Sequence, residues 1–438
     1  MSSRSRVSPW TRSLASLVGL AAPAAAGNVL VVDAVGTRTF TDVQPAIDAA
    51  VDGDTILVRS GTYGAFSVAN KALAIVGDNF AVVQIRGVMR VDDLSAGKTV
   101  VLENLKTTQV PVSTGSPGLH LSNDAGSVRL ERCTFLGADG TIPAHRDAWQ
   151  GALVESCADV AFTDCTLRGG INSRGFVDNG PADYPGIQGE ALLARLSTVV
   201  LHDCTVAGAD GDAGRLPGGY DGGWGGDGLR LEGGTVLASS CSFTGGDGGP
   251  GDTVFCGTGT YGGLAGFAMH LVGTGSLARI QACTEVGGTH GLDTGGFCII
   301  YTYPPGPARS GHTFVDLPAS GRYFIPSLSP YREFTTANLY FIGQAGDRVG
   351  LILSRATQSR FLPALGGSLL VQPLPSQSML DVGTIPFDVH TCFYPLHIRE
   401  LPPSVQTSRL YVQAVFTDVQ GRMHIAEPSS LVILDQQF

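Results

Sequence analysis

Val128-Arg-Leu-Glu-Arg-Cys133-Thr-Phe135 is the first copy of a phrase, apolar-x-apolar-x-x-Cys-Thr/Ser, that recurs at Val160–Leu167, Val199–Val206, Val236–Phe243 and Ala278–Glu285. Its cysteines, Cys133, Cys165, Cys204, Cys241 and Cys283, lie 32, 39, 37 and 42 residues apart. That spacing is too uneven for helical repeats and suits a constant rung of short strands joined by loops of variable length. Apolar positions alternate within each copy, and a second alternating piece precedes it, as in Leu119-His-Leu121, Leu229-Arg-Leu231 and Met269-His-Leu271. Strands one coil apart must be parallel, and parallel crossovers are right-handed in nearly all cases. The sequence therefore predicts an all-β chain whose main body is a right-handed parallel β-helix. In such a stack a column repeats about every 4.8 Å, so the five cysteines form an inward ladder beside an outward Thr/Ser ladder. Parallel side chains at that separation miss disulfide geometry, in which β-carbons approach to about 3.8 Å. The five are read as buried thiols; the rival, a metal column, lacks a tetrahedral arrangement. Cys256 and Cys298 lie in variable segments and are left as a pair that an oxidising compartment can bridge.

Composition narrows the function classes. Of 438 residues 60 are Gly, 43% are hydrophobic and 15% are charged, which is not disordered composition. Glycine does not recur at every third position along the chain and heptads are missing, which excludes collagen and long coiled coils. A net charge of −10 argues against a nucleic-acid partner. Residues 1–26 read as a secretory signal: Arg4, Arg6 and Arg12 begin it, Leu14–Ala22 is its short apolar run, and Ala24-Ala25-Ala26 supplies the small-residue cleavage site. The expected location is therefore extracellular or at the cell surface. No later run approaches the roughly 20 apolar residues of a membrane-spanning helix.

Nearer the start, Thr41 or Asp42 is placed to cap a short helix, Val43–Val51, that covers the open end of the solenoid. Thr55–Val58, Ala65–Val68, Leu73–Val76 and Val82–Ile85 then read as strands. The stretch Phe40-Thr-Asp-Val-Gln-Pro-Ala-Ile-Asp-Ala-Ala50, followed by Gly53-Asp-Thr-Ile-Leu-Val58, Gly61-Thr-Tyr63 and Ile75-Val-Gly-Asp78, resembles the opening of the pectin-lyase-like right-handed β-helix superfamily. The resemblance spans roughly residues 28–300 and implies the fold, not an activity. The superfamily's catalytic phrases are not matched: Thr289-His290-Gly291 and Arg279-Ile280-Gln281 are partial and reversed in order relative to polygalacturonases. The pectate lyase phrase and the methylesterase residue set are missing from the sequence.

Residues 27–300 are accordingly assigned to the β-helix, 301–335 to a Pro-rich linker and 336–438 to a small antiparallel β-sandwich. The linker carries Pro304, Pro305, Pro307, Pro318, Pro326 and Pro330. The sandwich is read from strand-like runs at Ala337–Ile342, Arg348–Leu353, Ser368–Gln372, Leu410–Thr417, Arg422–Ala426 and Leu431–Leu434, with a hairpin turn at Asp418–Gly421.

Candidate chemistry gathers in the loops. Asp139, Asp210 and Asp247 each stand six residues after a repeat cysteine. Asp210 and Asp247, in successive copies, can bind calcium or act as acid and base on a glycoside. The same Asp-Gly steps are also ordinary turn chemistry. Gly222-Gly-Trp-Gly-Gly-Asp227-Gly-Leu-Arg230 matches one calcium-binding nonapeptide, although such sites share ions between tandem copies and Pro250 interrupts the next. No cofactor is required; Ca2+ is the ion to consider, at Asp139, Asp210, Asp227 and Asp247. Trp149, Tyr184, Tyr220, Trp224 and Tyr261 can stack sugar rings or pin glycine loops to the coil. His120, Arg230 and His270 hold the outward middle position of their strands. The expectation is a non-catalytic β-helix that binds extracellular polysaccharide or joins a cell-surface layer. A polysaccharide lyase or glycosidase, and a structural spacer or adhesin, are the alternatives.

Overall fold

Strands one repeat apart pair in parallel with their phrases aligned. Val128, Val160, Val199, Val236 and Ala278 are consecutive register partners, as are Thr134, Thr166, Thr205, Ser242 and Thr284. The computed structural model describes residues 27–36, 38–108, 116–139, 148–171, 189–211, 222–251, 261–294, 300–301, 305–311, 313–327, 329–365, 367–372, 379–387 and 390–438. The expected signal segment, Tyr184, Tyr220, Cys256 and Cys298 lie outside the described residues. Among the described residues twenty-one strands make one continuous, coiled parallel sheet, and the chain is an all-β protein built on a parallel β-helix.

Each coil has three faces. A short-strand face comprises Lys106–Thr108, Thr134–Leu136, Thr166–Arg168, Thr205–Ala207, Ser242–Thr244 and Thr284–Val286. A polar face comprises Leu119–Ser122, Ala152–Glu155 and the first halves of Leu192–His202, Leu229–Ser239 and Met269–Gln281. Their second halves, with Thr55–Val58, Ala74–Gly77, Thr99–Glu103, Ser127–Glu131 and Asp159–Thr163, form the third face. Alternation sends Val128, Leu130, Phe135, Val160, Phe162 and their counterparts into one core, where these five are almost fully buried.

The cysteine ladder sits at a corner of the coil. Before each repeat cysteine the chain turns through a left-handed residue, namely Arg132, Asp164, Asp203, Ser240 or Ala282, with φ of 52 to 55°. Immediately past that bend, each thiol lies 3.1 to 3.4 Å from the carbonyl oxygen two residues earlier. A small, soft side chain with a weak donor fits such a corner. Cys133, Cys165, Cys204 and Cys241 are buried, Cys283 is half-buried, and none of them is bridged. The Thr/Ser ladder beside them points outward and is half-buried to exposed.

At the N-terminal end a helix, Val43–Ala49, capped by Asp42, packs Val43, Ala46 and Ile47 into the same core. It takes the place of two strands in the first coil. At the other end the stack continues past residue 300: Arg309–Ser310 and Phe314–Leu317 pair in parallel with Met269–Gln281. Tyr323–Pro326 and Tyr331–Arg332 already belong to the C-terminal sheets. Among the described residues Pro305, Pro307, Pro318, Pro326 and Pro330 lie outside or at the margins of strands instead of spacing two bodies apart, because a proline at a strand margin removes no ladder donor.

The C-terminal part has a three-stranded antiparallel sheet, Tyr323–Pro326, Thr336–Ile342 and Thr391–His397, and a five-stranded sheet. The latter runs Tyr331–Arg332, Met423–Leu434, Thr407–Thr417, Arg348–Ser354 and Met379–Thr384. Phe324, Leu339 and Phe341 from the first sheet meet Val349, Leu351, Val412 and Phe416 from the second in one sandwich core. The sandwich folds back onto the third face of the coil. Leu57, Val76 and Val101 pack with Val371, Tyr411 and Val432, and Ala161, Val200 and Leu237 pack with Leu370. Burial on both sides explains runs such as Thr55-Ile-Leu-Val58, which do not alternate and are wholly buried. Polar bonds tie the seam: the buried Glu131 carboxylate accepts the Ser430 N–H at 2.7 Å and the Ser429 hydroxyl at 3.0 Å, and Arg332 pairs with Asp78.

Candidate functional site

Between the short-strand face and the polar face the later coils make excursions, and these are where the glycines concentrate. Each has an outgoing and a returning segment. Read in register, their backbones form an unbroken relay. The N–H groups of Trp149, Gly170, Gly189, Ala209, Gly226, Gly246, Gly266, Gly288 and Gly306 donate in turn to the carbonyls of Ala138, Trp149, Gly170, Gly189, Ala209, Gly226, Gly246, Gly266 and Gly288. The relay alternates between outgoing and returning segments, so the two layers are bonded to each other throughout. Within the outgoing layer Gly245, Gly248 and Gly251 donate to Val286, Thr289 and Leu292. Within the returning layer Gly222, Gly225 and Gly228 donate to Tyr261, Leu264 and Phe267.

Donors three residues apart identify extended, three-residue-per-turn backbone with no internal hydrogen bonds. Glycine does recur here with a local period of three: Gly-Gly-Trp-Gly-Gly-Asp-Gly at 222–228 and Gly-Gly-Asp-Gly-Gly-Pro-Gly at 245–251. The chain-wide absence of that period concealed it. Two positions of each triplet are closed by neighbouring backbone. A β-carbon on Gly246 would lie 1.9 Å from the Ala209 oxygen, and one on Gly248 1.9 Å from the Gly263 oxygen. The third position faces solvent, as at Thr244, Asp247 and Pro250 in the outgoing layer and at Trp224, Tyr261 and Leu264 in the returning layer.

This geometry separates the expected site residues. Asp139, Asp210 and Asp247 lie on the outgoing side. Each carboxylate accepts a backbone N–H from the next coil: Ile171 at 2.8 Å, Asp247 at 3.0 Å and Thr289 at 2.6 Å, respectively. They act as a column that satisfies backbone N–H groups of the adjacent coil. Trp224, Tyr261 and Leu264 stand on the returning side, on the opposite surface of the two-layer stack, so the carboxylate column and these aromatics do not share one loop face. Trp149 occupies the inner position held by Gly226 and Gly266 in later coils, with its indole Nε1 buried. Asp227, in the nonapeptide-like stretch, accepts the Phe267 N–H at 2.9 Å and contacts His270 Nδ1 at 2.8 Å. Among the described residues no three His, Cys, Asp or Glu side chains converge as a metal site.

The returning layer runs directly into the polar face, and there a ladder of side chains appears. Arg90 Nη1 lies 2.9 Å from His120 Nδ1, and His120 Nε2 lies 3.1 Å from Glu155. A guanidinium only donates, so His120 accepts at Nδ1 and donates from Nε2. Arg195 bridges Glu155 at 3.0 Å and Glu232 at 2.8 Å, and Arg230 donates to Glu232 at 2.8 Å. Partial burial opposes ionisation of Glu155, but hydrogen bonds from Arg195 and His120 hold it below the usual carboxylate range. Arg195 and Arg230 do the same for Glu232. Arg230 and His270 are register partners on adjacent coils. The Asp227 carboxylate accepts from His270 Nδ1, which places the proton there and leaves Nε2 as the basic nitrogen, while the Phe267 ring lies 4.9 Å from the imidazole. His120, Arg230 and His270 thus do occupy one face. Arg90, Glu155, Arg195 and Glu232, which join them, stand at the same outward positions or two residues on; that period-two offset was their signal in the sequence.

No protein-family model matches the sequence, and no curated protein matches it. Among solved structures it is similar to tailspike protein 2 of Escherichia coli O157:H7 bacteriophage CAB120, at 10% identity, 92% of this chain, 68% of that chain and a TM-score of 0.26. It is also similar to tailspike protein gp49 of Acinetobacter baumannii bacteriophage Fri1, a capsular polysaccharide depolymerase, at 11% identity, 87% and 68% coverage and a TM-score of 0.24. The enzymatically active domain of bacteriophage CBA120 tailspike protein 2 shows 8% identity, 90% and 74% coverage and a TM-score of 0.22. The fold assignment rests on the strand register, not on these likenesses.

Proposed function

We propose that this chain is an exported, pectin-lyase-like right-handed β-helix that binds extracellular polysaccharide through the returning glycine layer and the polar face. The observation that carries the reading is the ridge of Trp224, Tyr261 and Leu264, 38%, 66% and 52% exposed, leading onto the hydrogen-bonding ladder from His270 to Arg90. Aromatic faces stack against the apolar faces of sugars while a fixed polar row meets their hydroxyls. Rigid parallel strands and a backbone-bonded glycine stack hold both parts in place, so little ordering cost attends binding. The test is retention of the full chain in polysaccharide-containing native gels. Trp224→Ala with Tyr261→Ala is expected to weaken retention at least about tenfold, the scale of losing one interface anchor. Unchanged retention overturns the reading.

A second reading, cleavage of the bound polysaccharide, is favoured by one feature: Asp227 orients His270 and leaves Nε2 free, the arrangement in which an imidazole serves as general base. Reducing-end release that disappears in His270→Ala, far out of proportion to any loss of retention, supports it. The Asp210→Ala, Asp247→Ala double variant is expected to leave any such release unchanged, because those carboxylates cap backbone on the other side of the stack.

A further inference from the structure

Resting on the proposed binding face, we infer the class of polysaccharide it accepts: a neutral one, without uronate or sulfate groups. On this face carboxylates outnumber guanidiniums, and Arg195 and Arg230 are both held in carboxylate pairs. Arg90 is directed onto His120. Arg195 is clamped between Glu155 and Glu232, and Arg230 is held by Glu232. His120 and His270 each lie against a carboxylate. Asp92, which accepts from the Ser67 and Ser122 hydroxyls, adds a further negative charge to the same face. Three guanidiniums therefore stand among four carboxylates, Asp92, Glu155, Glu232 and Asp227.

An anionic polymer needs an uncommitted guanidinium or ammonium to replace the water it loses. On this face such a polymer would have to break Arg–Glu pairs and bring its own charge against the freed carboxylates. A neutral sugar demands neither. Its hydroxyls both donate and accept, so they can take the remaining lone pairs of Glu155 and Glu232 and the remaining N–H groups of Arg195 and Arg230 without disturbing the pairs. Trp224 and Leu264 are one coil apart at equivalent positions, since the Gly225 N–H bonds the Leu264 carbonyl. The apolar ridge therefore runs along the coil axis beside the ladder, and an extended chain lies along both.

The test sets the full chain against hydroxyethylcellulose, xyloglucan, galactomannan and dextran on one side, and against polygalacturonate, alginate and dextran sulfate on the other. Retention by at least one neutral polymer is expected, changing less than about twofold between 0.05 and 0.5 M salt, because no net charge is neutralised. The anionic polymers are expected to show no retention that Trp224→Ala weakens. Glu232→Gln removes the negative charge that Arg195 and Arg230 share and is expected to create salt-sensitive retention by polygalacturonate, a gain that a purely structural role for Glu232 would not produce. Retention of an anionic polymer by the native chain that Trp224→Ala abolishes overturns the neutral class while sustaining the binding face. Retention by none of the seven polymers, or retention by a neutral one that Trp224→Ala leaves intact, overturns the face itself.

Discussion

The strand prism and the glycine stack beside it are both built by repeating one coil, yet they cohere by opposite means. In the prism, backbone bonds join neighbouring coils, and Leu, Val, Phe and Cys side chains fill the space they enclose. In the stack at 222–228 and 245–251 glycine fills two positions of every three, and backbone from one layer packs directly on backbone from the other. Apolar burial stabilises the first. The second depends on satisfied N–H and C=O groups, and it carries the conformational cost of glycine, roughly 0.5 to 1 kcal/mol per residue relative to alanine. A solenoid can thus extend a wide shelf from one corner without enlarging its hydrophobic core, with glycine at most inner positions of the later coils and Ala138, Ala209 and Trp149 at the others.

Four substitutions probe that contrast. Phe162→Ala empties a fully buried site beside Phe135, whose ring lies 6.2 Å away, and is expected to cost about 4 kcal/mol in denaturant unfolding. Gly246→Ala adds a single carbon to the stack, 1.9 Å from the Ala209 oxygen, and is expected to cost about 3 kcal/mol. A Gly246→Ala chain as stable as the parent would break the comparison. Gly275→Ala, where a β-carbon meets nothing within 4 Å, is the control and should change stability by less than about 0.5 kcal/mol.

The remaining substitution, intermediate in size, addresses the seam between coil and sandwich. Burial, countered by Arg132 and reinforced by Glu103, pushes the Glu131 carboxyl up to about 7. An unfolded glutamate titrates near about 4.3, so the folded chain binds this proton more tightly. The stability linked to it is fully present below that value and is lost as pH rises through about 7. Glu131→Gln keeps an oxygen for the Ser430 N–H and removes the charge. It is expected to raise stability at pH 8 by about 1 to 2 kcal/mol relative to the parent, with little change at pH 4. An unaltered pH profile of the unfolding midpoint would remove Glu131 as the cause.

Much of the prism was legible because its signal is local and repeated. Val128–Phe135 and its four copies carry alternation, the corner cysteine and the outward Thr/Ser in eight residues each, and strand pairing then follows from topology. The shelf was less legible. Gly222–Gly228 and Gly245–Gly251 show the triplet plainly only when set side by side, and the same letters also fit a calcium nonapeptide or a chance loop. Asp210 and Asp247 were recognisable as a column, yet nothing in their spacing said that each oxygen would be taken by a backbone donor one coil away. The non-alternating runs at 55–58 and 199–201 were the available sign that a second layer covers the third face.

By itself the sequence determined that this is a coiled parallel β-structure and that its cysteines stack inward, because each of these follows from a short period along the chain. Only the tertiary structure decided that the glycine segments bond into two layers, that the aspartates and aromatics fall on opposite sides of them, that the sandwich folds back over one face and that Arg90 through His270 become one ladder. Those outcomes bring together residues some 30 to 40 positions apart or, at the seam, nearly 300. Which surface a side chain meets at that distance depends on how each excursion closes and packs, a property of the assembled stack and not of any single stretch of chain.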